Sequence, residues 1–446
     1  MLALLRTVRR TCPALSALLA SVLLLPACGG GSGGGGSDHG TAPAISNLVY
    51  SPTAVYVGAG GGTQAVHGEF SFTDPDGDVS SGTLEALDAS GTVIDSQTFA
   101  ISGASGVTAG SVMVDVNAAT STAGNFTVRV SLTDRRGLSS NRLSGTFRVS
   151  EFPWVARSAM PLPRREFATA AVNGRIYVLG GGDTQAGIIP APATATVQIY
   201  DPASNTWSAG ADMPVAAYNH AAAVLGGKIY VTGGKSDLAP GLATLQEYDP
   251  AGNAWTLRAA MPVALEGHAS TAAGGLLYVL GGSSGGLDSA GVYAYDPLGN
   301  GWQGRAPLQY TGNALPVRNL AAVIVNGAPL VLGGYGSSWP TDAGYLRLVQ
   351  QYDATTNAWS ARADMGVPRA DFAAAVSGTT LYVAGGGNWD PALTDAWAYA
   401  SATDSWSPKT PMPQALSWPR AEAMGASLYV FDGTHTYEYT PANDIL

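Results

Sequence analysis

Six times after residue 170 an apolar stretch runs into a glycine position at a nearly constant interval, and this recurrence limits the available folds more than anything else in the chain. The copies read IYVLGG at Gly180, IYVTGG at Gly233, LYVLGG at Gly281, PLVLGG at Gly333 and LYVAGG at Gly385, at intervals of 53, 48, 52 and 52 residues; LYVFDG near Asp432 follows after 47. Downstream of each stands a tyrosine: Tyr200, Tyr248, Tyr295, Tyr352, Tyr399 and Tyr439. In the first five copies a tryptophan follows seven residues later: Trp207, Trp255, Trp302, Trp359 and Trp406. Repeats of this length are single supersecondary units that cannot bury their apolar faces alone, so they stack on copies of themselves. The alternating pattern and the glycines within strands exclude a helical solenoid.

Each recurring residue type has a physical job. The strands before the glycines are apolar and β-branched, the composition of strands buried on both faces between neighbouring sheets. The glycine pair removes Cβ atoms where the backbone bends and the next unit approaches. YDPASNTW, residues 200–207, reads as a strand end, a tight Asp-Pro turn and the next strand, which predicts Tyr200 and Trp207 side by side on adjacent strands. The sixth copy has Tyr439 but no tryptophan strand after it. FPWVARSAMP, residues 152–161, supplies one, because Trp154 precedes Met160 by the spacing of Trp207 to Met213, Trp255 to Met261 and Trp406 to Met412. That segment is expected to be the outer strand of the last unit, closing a ring and removing free sheet edges.

The tyrosine, glycine pair and tryptophan at a period near fifty resemble the kelch motif, over about two thirds of the chain. The resemblance implies an all-β, six-bladed kelch β-propeller over residues 151–446, closed by the 152–161 strand. In kelch propellers ligands meet one face, built from the loops entering the innermost strands and those between second and third strands. Alignment of the entry segments places Phe167, His220, His268, Leu320 and Phe372 in equivalent positions. Face candidates are then Arg164, Glu166, His220, Glu266, His268, Arg318, Asn319, Arg369, Asp371, Arg420 and Glu422, with Arg165, Tyr218, Asn219 and Trp418 beside them. Trp389 joins them from the loop GGGNWDPALTDAW, and Tyr335 and Trp339 from GGYGSSWPTDAGY.

This concentration stands out in a chain with only 12% charged residues. Converging arginines and carboxylates suit a polar or anionic ligand, the arginine fork matching a carboxylate; they equally suit a solvated rim whose charges pair with one another. Exposed aromatic rings are platforms on which sugar rings stack. His220 and His268, even with Glu266, are too few ligands for a firm metal site, and neither metal nor cofactor is expected. The copper enzymes of the galactose oxidase type use a tyrosine cross-linked to cysteine. No cysteine follows Cys28, so that chemistry is excluded. Similarity to the six-bladed sialic acid mutarotase of the envelope implies the enzymatic alternative, a carbohydrate isomerase or a lyase. There Glu166 with Arg164, or Glu266 with His268, would act as acid and base. The first expectation is a monomeric, non-catalytic binder of glycan or protein at one face, with no catalytic residue assigned.

The preceding part of the chain reads as three pieces. Residues 1–27 have a basic start (Arg6, Arg9, Arg10), an apolar stretch from Ala14 to Leu25 and small residues before Cys28, the grammar of a secretory signal. LPAC, residues 25–28, resembles the lipobox of bacterial lipoproteins, which implies lipidation at Cys28 and, with Gly29 following, an outer-membrane anchor. Ordinary cleavage near Ala27 is the alternative. Residues 28–40, rich in Gly and Ser, read as a flexible tether. Residues 41–150 alternate with a period of two, as in FTVRVSL, where Phe126, Val128, Val130 and Leu132 share a face. They resemble the immunoglobulin-like (Ig-like), PKD and cadherin-like modules of bacterial surfaces, which implies a small β-sandwich. DPDGD, residues 74–78, does not fit an EF-hand loop but makes a good β-turn and leaves calcium as a weaker alternative. The only cysteines, Cys12 and Cys28, lie in this region, so no disulfide is available to the rest. The net charge of −10, or about −13 (19 − 32) without the three leader arginines, makes nucleic acid an unsuitable partner. The partners expected are a glycan or an envelope or extracellular protein, with the membrane reached only through the lipid.

Overall fold

The computed structural model describes residues 20–26, 40–56, 63–119, 123–184, 192–310, 312–337, 344–387 and 392–446. It divides into two compact units, one ending at Phe152 and one beginning at Pro153.

In the first unit two sheets enclose a core. One runs Ala20–Pro26, Ala109–Ala119, Thr63–Thr73, Ala44–Ser51; the other Ala54–Tyr56, Leu143–Ser150, Gly124–Asp134, Val79–Leu87, Val93–Ala100. Phe126, Val130 and Leu132 point into that core with Phe70, Phe72 and Val112, while Thr127, Arg129 and Ser131 are half-exposed, as the period of two requires. Ala20–Pro26, within residues 1–27 read as leader, pairs antiparallel with the 109–119 strand. Cys28 and the Gly/Ser stretch up to residue 39 lie outside the described residues.

In the second unit the described residues form six four-stranded sheets, numbered here by their innermost strands: Ala168–Val172, Ala221–Leu225, Ala269–Ala273, Ala321–Val325, Ala373–Ser377 and Arg420–Met424. These strands adjoin one another in order, and the sixth adjoins the first. Trp154–Ala156 forms the outer strand of sheet six, against Thr436–Tyr439.

One device repeats in every sheet. Tyrosine and tryptophan face each other in register, Tyr200 with Trp207 through Tyr399 with Trp406, and Trp154 with Tyr439 takes the same register. Their ring centroids lie 4.7–5.1 Å apart. Each tryptophan indole donates to a carbonyl of the preceding sheet's exit segment: Trp207 to Ser158, Trp255 to Ala211, Trp406 to Ala363 and Trp154 to Thr410. Each tyrosine hydroxyl donates to an Asn or Asp five residues on, as Tyr248 does to Asn253 and Tyr439 to Asp444. That acceptor also takes an amide from the preceding sheet: Asn205 from Ser158, Asn253 from Ala211, Asp404 from Ala363 and Asp444 from Thr410. Sheet one is thus bonded to the N-terminal strand segment and sheet six to sheet five by one rule, and the ring is closed in hydrogen bonds.

The glycine pairs sit where backbone crowding leaves no room for a side chain. Gly233 has φ +55°, and a Cβ there would lie 2.5 Å from the Leu265 carbonyl and 2.7 Å from the His268 ring. Gly180 stands in the same relation to the Ala217 carbonyl and His220.

Candidate functional site

At the glycine end of the ring each innermost strand is entered through a residue in the left-handed region: Glu166, Asn219, Gly267, Asn319, Asp371 and Trp418, with φ between 50° and 60°. Five of these are chained by four backbone bonds around the axis: Asn219 N–H donates to the Glu166 carbonyl at 2.8 Å, Gly267 to Asn219 at 2.9 Å, Asn319 to Gly267 at 2.6 Å and Asp371 to Asn319 at 3.0 Å. The turn needed to enter an inner strand throws the next side chains towards the axis, where they surround a cavity of about 130 Å³.

Five of the six inner strands carry small or aliphatic residues at their first and third positions, the first bordering this cavity in sheets one to four and the third bordering the space beyond it. Ala168, Ala221, Ala269, Ala321 and Ala373 occupy the first position, and Ala170, Ala223, Thr271, Val323 and Ala375 the third. Sheet six breaks the pattern with Arg420 and Glu422, and enters through Trp418, which is 38% exposed at φ +50°. A bulky residue rarely holds that conformation, and strain of this kind collects at functional sites.

The charges are arranged unevenly. Arg420 lies 3.9 Å from Asp371, at the edge of pairing distance, and its other terminal nitrogen donates to the Pro419 carbonyl at 3.1 Å. Asn319 donates to Asp371 at 2.7 Å. Burial pushes the Asp371 carboxyl up to about 6 despite Arg420 and Asn319. Burial likewise raises Glu422 to about 7, against the hydrogen bond it accepts from Thr169 at 2.8 Å. Glu166 is also raised by burial, and Arg420 lowered by it.

The other candidates divide by what holds them. Arg164 is buried, and its guanidinium donates to the Gly180 and Thr196 carbonyls, both at 2.9 Å; burial lowers it to about 10. Arg369, fully buried, donates to the Gly385 carbonyl and to Asp395. These two arginines clamp the loop beyond their own glycine pair and do not line the cavity. Arg318 pairs with Asp288 at 2.8 Å and lies over the Tyr335 ring. Glu266 accepts from Asn219 at 2.8 Å and pairs with Lys235 at 2.6 Å.

His220 and His268 border the cavity but are wedged under the glycines of the preceding sheets. His220 Nε2 donates to the Leu179 carbonyl at 3.0 Å, and His268 Nε2 lies 2.8 Å from the Thr232 hydroxyl. Burial depresses them to about 3 and about 4, so both are neutral imidazoles at physiological pH. Among the described residues no three acidic, imidazole or thiol groups gather into a metal-holding cluster. Trp389 and Trp339 lie outside the described residues. In the first unit Asp74 accepts the amides of Asp78 and Val79, the role of a turn-capping carboxylate.

Asn219 and Thr169 also border the cavity. The alanine register that singles out Arg420 and Glu422 was open to inspection in the six aligned inner strands.

The KLHDC2/KLHL20/DRC7 Kelch-repeats domain model matches residues 219–433, and the Kelch motif model matches residues 163–214. Among curated proteins, Kelch-like protein 25 of Xenopus tropicalis is 28% identical over 281 residues, 63% of this chain and 38% of that protein. Kelch-like protein 33 of Homo sapiens is 33% identical over 97 residues, 21% of this chain and 17% of that protein. The chain therefore spans less than two fifths of the length of these relatives. A solved structure described as the structure of YjhT superposes with a TM-score of 0.51 at 17% identity, covering 63% of this chain and 95% of that one, a likeness of fold.

Proposed function

Because the chain is a kelch-repeat protein with a propeller-like fold, we propose that it is a non-catalytic binding module whose six blades present one ligand face, the mouth around Arg420. In this reading the first unit is an Ig-like spacer, and a lipid on Cys28 anchors the whole to the outer membrane. The ligand is a glycan or protein carrying a carboxylate. The observation that carries the reading is the broken alanine register: a single blade places a guanidinium and a carboxyl at positions where the other five carry small or aliphatic side chains, and enters through an exposed indole. Arg420 has no bidentate carboxylate partner among the described residues, so its fork suits an incoming one, with Trp418 as the stacking surface.

A glycan array and a panel of carboxylated ligands presented to the full chain test this. Arg420→Gln and Trp418→Ala each weaken the captured ligand about tenfold or more, the worth of one charge-assisted hydrogen bond or stacked ring. Unchanged affinity for every captured ligand in Arg420→Gln overturns the reading.

A second reading follows from Asp371, a carboxyl held near 6 beside Arg420 in a cavity. A group that takes and returns protons near neutral pH suits general acid–base opening of a sugar ring, as in a sialic acid mutarotase-like isomerase. NMR of anomer exchange tests it: wild-type chain accelerates exchange and Asp371→Asn does not, whereas no acceleration by wild type discards the enzyme.

A further inference from the structure

Below the mouth, the axis continues into a second space of about 360 Å³ that shares Thr169, Ser270, Ala322, Ala374 and Glu422 with the cavity above. Its wall is otherwise alanine, valine, isoleucine and threonine, and Glu422 is the one charged residue among the described residues that line it. The carboxyl's partners are neutral, the Thr169 hydroxyl and the Ala171 amide. Arg420, two residues earlier, is turned to the mouth, where Asp371 and Glu166 are the charges that act on it. A carboxyl buried in this channel with no charged partner among the described residues that line it is unfavourable as it stands, because burial without pairing costs free energy. Its complement is one positive charge with an apolar body. A metal ion is the poorer complement, since among the described residues no three acidic, imidazole or thiol groups gather there.

We propose that the lower channel binds a small primary alkylammonium ligand, its NH₃⁺ on Glu422 and its carbon chain against the alanine and valine wall. Glu422 borders both spaces, so this site meets the mouth at that carboxyl while taking a ligand of the opposite charge.

The test uses the full chain near neutral pH. Butylammonium and cyclohexylammonium are titrated calorimetrically in two buffers of different ionisation enthalpy, with 1-butanol as the uncharged control. Saturable binding is expected with one site per chain and with proton release, because the ammonium ion favours the ionised carboxyl. Glu422→Gln weakens it about tenfold or more, while Asp353→Asn on an outer turn leaves it unchanged. The wild-type ¹³C spectrum, which needs no variant, shows the Glu422 carboxyl as the carboxyl resonance moved most by the amine. Equal binding of 1-butanol, no saturation, undiminished binding in folded Glu422→Gln, or the largest shift at another carboxyl each overturns the proposal.

Discussion

Replacing Trp154 by alanine attacks the one link of the ring that joins distant parts of the sequence. The indole is 6% exposed, its ring lies 4.7 Å from Tyr439, and its N–H donates to the Thr410 carbonyl at 2.8 Å. Loss of a buried aromatic of this size costs about 3–5 kcal/mol, and the stranded carbonyl adds about 1 kcal/mol. Against a total stability of about 5–15 kcal/mol this is a large fraction. At about 2 °C per kcal/mol for a domain of this length, the melting transition of the ring falls by roughly 10 °C. Circular dichroism melts of the full chain read it directly. Trp255→Ala, which cuts the equivalent link between sheets one and two, should fall by a similar amount. If Trp154→Ala melts with wild type while Trp255→Ala does not, the N-terminal strand is not part of sheet six.

Three further outcomes follow from the geometry. Glu422, held near 7 instead of its ordinary 4.5, favours the folded state only when protonated; its contribution is complete below the unfolded value and disappears as pH rises through 7. At about 1.4 kcal/mol per unit that swing is at most about 3 kcal/mol, and urea midpoints measured across pH show it in wild type but not in Glu422→Gln. His268, held near 4, acts oppositely: its contribution is present above the ordinary imidazole value and is lost as pH falls from there through 4, so His268→Phe flattens the acid limb of the same profile. Gly233→Ala, with its Cβ 2.5 Å from a carbonyl, destabilises by more than about 2 kcal/mol, whereas Gly226→Ala, also at positive φ but facing open space, costs about 1 kcal/mol; paired denaturant titrations compare them.

The ring was legible in the sequence because its strands obey a local rule that tyrosine, glycine and tryptophan spacing records directly. The matching gap from Trp154 to Met160 identified the missing strand, since register in sheet six reproduces that of the others. The Asn or Asp five residues after each tyrosine was equally visible, but its double role as hydroxyl and amide acceptor depends on which sheet lies alongside. The site was less legible. Arg164, Arg369 and Arg420 have the same chemistry, yet the first two precede the left-handed residue and turn beneath their glycine pair, while the third follows it and borders the cavity at the mouth. Four residues of register, from two before the left-handed residue to two after it, decide between clamp and ligand. Spacing alone likewise placed His220 and His268 among the ligand-face candidates, whereas the glycines above them make them packing groups equivalent to Leu320 and Phe372.

Hydrogen–deuterium exchange of the full chain with its captured carboxylated ligand tests the central claim most directly, because it maps the bound face without assuming it. Protection is predicted at the entry segments around Asn219, Asn319, Asp371 and Trp418–Glu422, and its loss in Arg420→Gln. Protection confined to the outer turns, such as those at Asn253 and Asn357, or to the first unit, would contradict it.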